Sequence, residues 1–208
     1  MSVSKTEPDS RETAAARSRA ATRERLLESA RTLFAERGLR GVTTHDIARE
    51  AGFASGTFYL HFPDKRALFR EIVAESVAAL RDRLAKSVAG VAGLSDAVRA
   101  HATAMIEFAE EQRELVRILF SADVDAAVVS ASVLDELAAA IAAGRRERQS
   151  HGDDPSGLDA AVLSQALVGM WARVIAWWAE DPARAQRGAV IETLTRIQLE
   201  GTRPTPGA

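Results

Sequence analysis

The chain has 208 residues, 47% of them apolar, and a formal net charge of −2 from 27 Lys/Arg and 29 Asp/Glu. That is apolar enough for one domain or two small ones and too apolar for a disordered polymer. No cysteine is present, which excludes disulfides, cysteine-ligated zinc, iron–sulfur clusters and thiol catalysis.

Residues 1–20 are polar, Ala- and Arg-rich and without hydrophobic periodicity, so a disordered tail is expected there. A first helix is predicted from Thr22 to Arg37, with Leu26, Ala30 and Leu33 on one face and Gly38 as its stop. Thr43-Thr44-His45-Asp46 has capping-box spacing and opens a short helix that ends at Gly52. Ser55 is read as the cap of a third helix through His61, and Pro63-Asp64 as the start of a long fourth, Lys65 to Val88. Helical patterns then run from Ser95 to Ala109, Glu111 to Ser121, Val124 to Gln149 with Ser130 as a point of interruption, and Leu158 to Glu180. Asp181-Pro182 reads as the cap and first turn of a last helix to Glu200. Ala supplies 41 residues, whereas Trp, Tyr and Phe supply 3, 1 and 7, a composition for helices packed through small side chains. The expected fold is all-α with about nine helices: a helix-turn-helix domain at 21–67, a larger domain at 68–201 and a short tail at 202–208.

Residues 1–86 carry a balance of +4 and residues 87–208 one of −6, so the two parts are expected to meet different partners. No run of about 18 uncharged apolar residues is present, and the N-terminus has no apolar stretch. A cytoplasmic protein with no membrane span and no secretory signal is therefore expected.

The informative stretch is 22–69. Two short helices on either side of Gly52-Phe53-Ala54 form a helix-turn-helix, in which the second helix enters the DNA major groove. Ser55, Thr57, Tyr59 and His61 would face the groove, while Phe58 and Phe62, four apart, would face Ile47 and Leu33 inside. Ala30-Arg-Thr-Leu-Phe34, Glu36-Arg-Gly38, Thr43-Thr44-His-Asp-Ile47-Ala48-Arg-Glu-Ala51-Gly52 and Gly56-Thr57-Phe58-Tyr59-Leu-His61-Phe62-Pro-Asp-Lys65-Arg-Ala-Leu68-Phe69 follow in order. Together they resemble the DNA-binding domain of the TetR family of bacterial transcriptional regulators. The resemblance implies a homodimer that binds a palindromic double-stranded operator and is released by a small-molecule effector, most often as a repressor. Thr44 matches the family position that meets phosphate at the start of the second helix. Ser55, Gly56 and Thr57 sit where bases and backbone are read, and Tyr59, His61 and Lys65 match phosphate-gripping positions. Phe58 departs from the smaller aliphatic residue common at its place.

Beyond Phe69 the resemblance is one of helix number and length. His101, Met105 and Phe108 share a helix face and, with Leu119, Phe120 and Met170, are either an effector pocket or plain core. No cluster of basic residues accompanies them, so a hydrophobic effector is expected. Trp171 and Trp178, with Ile191 and Leu194 on the last helix, form either a dimer interface or intramolecular core. The arginines Arg11, Arg17, Arg19, Arg23 and Arg25 are either an arm on DNA or a solvated tail. A helical unit that docks another protein is the competing non-enzymatic reading. His151-Gly152-Asp153-Asp154 is the one His/Asp cluster and reads as a solvated loop. No catalytic motif, cofactor site or metal site is expected; a lone His101 has no second ligand spaced with it.

Overall fold

The computed structural model describes residues 10–152 and 157–201, with side chains from residue 14 onward. The expected tails at 1–9 and 202–208, and Asp153 and Asp154 of the loop, lie outside the described residues. Those described form nine α-helices and one 3-10 turn with no strand. The chain divides into a unit ending at Ile72 and a unit beginning at Val73.

In the first unit, α1 spans Ser10–Arg37, α2 Thr44–Glu50, α3 Ser55–Tyr59, and α4, Lys65–Ser87, begins here. α1 starts twelve residues before the predicted Thr22, so residues 10–20 are helical instead of a tail. Ala14, Ala15, Ala16, Ala20 and Ala21 are exposed and bury no stripe. They lengthen a helix already nucleated by the packed turns that follow, which costs little for Ala and Arg.

Thr43 caps α2 through the full box: its hydroxyl accepts from the Asp46 N–H at 3.1 Å, and the Thr43 N–H donates to Asp46 Oδ2 at 3.1 Å. Gly52 then turns the chain at φ +76°, the left-handed region, and a Cβ there would sit 3.0 Å from the Arg25 guanidinium. α3 has no side-chain cap. Its N-cap is Ala54, not Ser55, because the Ser55 hydroxyl is turned toward α2. Asp64 caps α4 by accepting from the Ala67 N–H at 2.7 Å. The core is Leu26, Leu33, Phe34, Ile47, Phe58, Phe62, Leu68 and Phe69, all buried. Phe34 and Phe69 meet edge to face at 5.8 Å, so the first turns of α4 belong to this core and the unit extends past the expected boundary at 67.

The second unit holds α5, Leu94–Glu111; α6, Arg113–Leu119; α7, Val124–His151; α8, Ala160–Glu180; and α9, Arg187–Gly201. α7 runs unbroken through Ser130, whose side chain is buried. Asp159 accepts from Ala161 and Val162 N–H at 2.9 Å each, so α8 starts at Ala160 and not at Leu158. Asp181 caps only the 3-10 turn Pro182–Arg184, and α9 begins afresh at Arg187. α5 packs on α9, and α8 on α6 and α7. Ala102, Ile106 and Ala109 of α5 join Trp171, Ile175, Trp178 and Leu194 in one buried cluster. α7 and α8 are long and apolar enough, by length and composition, to cross a bilayer, a property that core helices of this length share. They pack on each other instead and contribute Val129, Ile175 and Trp178 to buried positions.

Candidate nucleic-acid interface

α2 and α3 are joined by two side-chain bridges. The Thr44 and Tyr59 hydroxyls lie 3.0 Å apart, and His45 Nδ1 shares a hydrogen bond with the Ser55 hydroxyl. The first turn of α2 therefore grips α3 near both of its ends. Underneath, Phe58 is fully buried and stacks obliquely on Phe62 at 5.7 Å. This fixes the rotation of α3 about its axis. Tyr59, its ring edge-on to Phe58 at 5.4 Å, is consequently 58% exposed, with Ser55 and Thr57 half-buried beside an exposed Gly56. No atom lies within 4 Å of a Cβ built on Gly56, so the backbone there is open to close approach. The two bridges also hold the hydroxyl-bearing residues in place before any ligand arrives, which lowers the ordering cost of binding.

The arrangement brings together six of the seven residues expected to meet DNA: Thr44, Ser55, Gly56, Thr57, Tyr59 and His61. Lys65 is placed differently. Its ammonium donates to the Leu39 carbonyl at 2.6 Å and the Val42 carbonyl at 2.9 Å, which ties the loop before α2 to α4. Burial, with the positive charges of Arg19 and Arg23, pushes the His61 imidazole below its usual range. The Thr43 side chain and backbone hold the Asp46 carboxyl below the usual carboxylate range, so the cap persists as a charged acceptor.

Three contributors were not legible from spacing. His45 is ten residues from Ser55. Arg25 donates to the Ala51 carbonyl at 2.6 Å and lies over the Phe53 ring at 4.7 Å, bracing the turn. Arg23 pairs through both nitrogens with Glu71 and lies over Phe62 at 4.9 Å. The cationic run in α1 was the visible signal, but the partners are tertiary.

In the second unit, Met105, Phe120 and Met170 pack half-buried against the Trp171/Trp178 cluster. His101 is half-buried toward Leu84; burial lowers its pKa, while a hydrogen bond with the Leu84 backbone acts in the opposite direction. Phe108 and Leu119 are also half-buried. A separate open groove of about 410 Å³ runs along α5 past Ser87, Val91, Arg99, Ala100 and Thr103; it is lined by none of the six expected pocket residues. For the expected interface, burial corrects the reading. Trp171, Trp178 and Leu194 are core of the chain itself. Trp178 Nε1 donates to the Ala185 carbonyl at 2.9 Å, and Trp171 Nε1 to Gln198 Oε1 at 3.2 Å. Ile191 packs against the same cluster. The residues left outward are others: Val162 at 70%, Trp177 at 36% and Ile197 at 51% exposure. The indoles turned inward because each N–H found an acceptor between α8 and the segment after it.

Residues 26–72 match the family of bacterial regulatory proteins called tetR. The chain is 33% identical over 171 residues to the HTH-type transcriptional repressor Rv1474c of Mycobacterium tuberculosis, an overlap covering 79% of this chain and 87% of that protein. The chain belongs to the tetR family. Its fold is that of solved family members. The Thermus thermophilus FadR repressor, crystallised with lauroyl-CoA, superimposes with TM-score 0.67 at 22% identity, covering 89% of this chain and 98% of FadR. Bacillus subtilis FadR, crystallised with stearoyl-CoA, gives 0.68 at 17% identity over 86% and 99%. This tetR-family chain is a DNA-binding transcriptional regulator.

Proposed function

We propose that the chain is a non-enzymatic cytoplasmic repressor that binds a palindromic operator as a homodimer and leaves it when a hydrophobic effector binds the second unit. The observation that carries the DNA reading is the pair of α2–α3 bridges, Thr44 to Tyr59 and His45 to Ser55. They hold a five-residue helix, too short to be stable alone, in one orientation with its hydroxyls outward. Thr44, Ser55, Tyr59 and His61 meet the sugar-phosphate backbone, Gly56 and Thr57 meet base edges, and Lys65 positions the loop before α2. The dimer face we infer is the outward stripe of α8, with Val162, Ala166, Gly169 and Trp177, together with Ile197 of α9; small residues there let helices of two copies approach. The effector side is the Met105, Phe120 and Met170 wall, where unbranched methionines can re-pack around an apolar guest. The lauroyl-CoA and stearoyl-CoA of the two FadR structures make long acyl thioesters the first compounds to test.

Genomic fragments selected by the purified protein test this reading. The expected product is an inverted repeat whose half-sites lie about 34–36 Å apart or a multiple of that, released by an acyl thioester and bound by a species of about twice 22.3 kDa. Recovery of fragments without a repeat, or a monomer that binds the repeat tightly, would overturn it.

A further inference from the structure

Five arginines stand between residues 10 and 25 of α1, and the structure separates their duties. Arg23 is committed to Glu71 and the Phe62 ring, and Arg25 to the Ala51 carbonyl and the Phe53 ring. Arg11 lies outside the residues with described side chains. Arg17 and Arg19 remain, both exposed, two positions apart and therefore about 200° apart around the helix. Arg19 stands one turn before Arg23 on the same face. Since Arg23 lies at 4.9 Å over Phe62, Arg19 is carried alongside the residue preceding Phe62, His61. Its positive charge acts on that imidazole, together with that of Arg23. Arg23 has its neutralising carboxylate. Among the described residues Arg19 has none.

An exposed guanidinium beside an imidazole presents a forked set of N–H donors and a ring N–H that can meet one anion. A planar-forked or tetrahedral anion, such as a backbone phosphate, fits that pair of donors. The end of α3 is where the proposed function places the DNA backbone.

We propose that Arg19 is a DNA-binding residue: its guanidinium and the His61 imidazole together grip one backbone phosphate beyond the C-terminal end of α3, and the exposed N-terminal turns of α1 exist to carry that arginine there. This rests on the DNA reading above and adds a residue to it. The helical extension from Ser10 to Ala21 then has a purpose that packing does not give it, since residues 14–21 of it are exposed.

The test uses the full chain and a mixed-sequence 30-base-pair duplex, with binding followed by fluorescence anisotropy between 0.05 and 0.3 M NaCl. One phosphate contact contributes about 0.9 to the slope of log K against log salt. Arg19→Ala is therefore expected to lower the slope by about 0.9 per protomer engaged. Affinity should fall by about eight-fold at 0.1 M salt and about four-fold at 0.2 M. Arg19→Lys keeps the charge and should keep most of the slope. Arg17→Ala, on the other side of the helix, should leave it unchanged. Thermal melts of the variants should match the unsubstituted chain, because neither side chain packs. An unchanged slope in Arg19→Ala, or an equal loss in Arg17→Ala, overturns the assignment while leaving the DNA reading intact. A salt-independent interaction of the unsubstituted chain with duplex overturns the DNA reading itself.

Discussion

Lys65→Met removes the ammonium that spans the loop before α2 while keeping an unbranched stem of nearly the same length. Two hydrogen bonds are lost, at 2.6 and 2.9 Å, to the Leu39 and Val42 carbonyls. Hydrogen bonds from a charged donor contribute about 1.5–3 kcal/mol each. Lys65 is only half-buried, and the freed carbonyls regain some water, so the lower end applies and the total is about 2–3 kcal/mol. For a chain of this size that lowers the melting temperature by about 5–10 °C if both units unfold together, and by more if the unit ending at Ile72 melts alone. Circular dichroism melts at 222 nm provide the measurement. Duplex binding should weaken because α2 loses its anchor, yet the salt slope should stay within experimental error, since the ammonium is already bound to carbonyls. A variant that melts within 1 °C of the unsubstituted chain and loses about 0.9 from the slope would show that Lys65 serves phosphate and not the loop.

Thr44 and Tyr59 share one hydrogen between two hydroxyls, which leaves one hydrogen for a phosphate. Tyr59→Phe alone should therefore weaken duplex binding only a few-fold, because Thr44 keeps its own donor, whereas Thr44→Val with Tyr59→Phe should lose far more than the two single losses predict; additive losses would disprove the shared donor. His101, its pKa lowered mainly by burial, binds fewer protons folded than unfolded, so its contribution to stability is complete above the unfolded value of about 6.5 and is lost as pH falls through the lower folded value. Urea unfolding followed by tryptophan fluorescence, which reports the second unit alone, should lose part of its destabilisation between pH 7.5 and 5 in His101→Asn; an unaltered pH dependence would refute the assignment.

What the sequence could disclose depended on whether the cause was local. The Thr43 cap, the Gly52 turn and the inward Phe58/Phe62 pair are set by residues within a few positions of each other, and the structure has all three. The start of α1 escaped because hydrophobic periodicity marks where a helix packs, not where it begins; a run of Ala and Arg continues a helix without any stripe. The Ser55 cap failed for a tertiary reason: a competing partner, His45, is ten residues away. In the second unit the tryptophans showed that a broad apolar surface had to be covered. Whether a neighbouring segment or a second copy covers it depends on acceptors such as Ala185 and Gln198, which no local pattern discloses. The outward stripe through Val162 and Trp177 was written in less conspicuous residues than the one that turned inward.

The hydrogen-bond pattern of the first unit also divides its labour between holding and reading. Ser55 has its hydroxyl engaged by His45, and Tyr59 by Thr44, so each has limited freedom to adjust to a particular base. Such groups suit the sugar-phosphate backbone, whose geometry repeats regardless of sequence. Thr57 is different. Among the described residues its side chain has no hydrogen-bond partner, and it sits on α3 beside Gly56, where the absence of a Cβ clash leaves the backbone approachable. A short hydroxyl that is free to rotate can donate to one base edge and accept from another, and its methyl can pack on a thymine methyl. In the proposed function, discrimination between sequences falls to Thr57, and the energy of holding it in register falls to the bridges on either side. The burial of Phe58 below them is what keeps Thr57 and Tyr59 from exchanging places by a rotation of this five-residue helix.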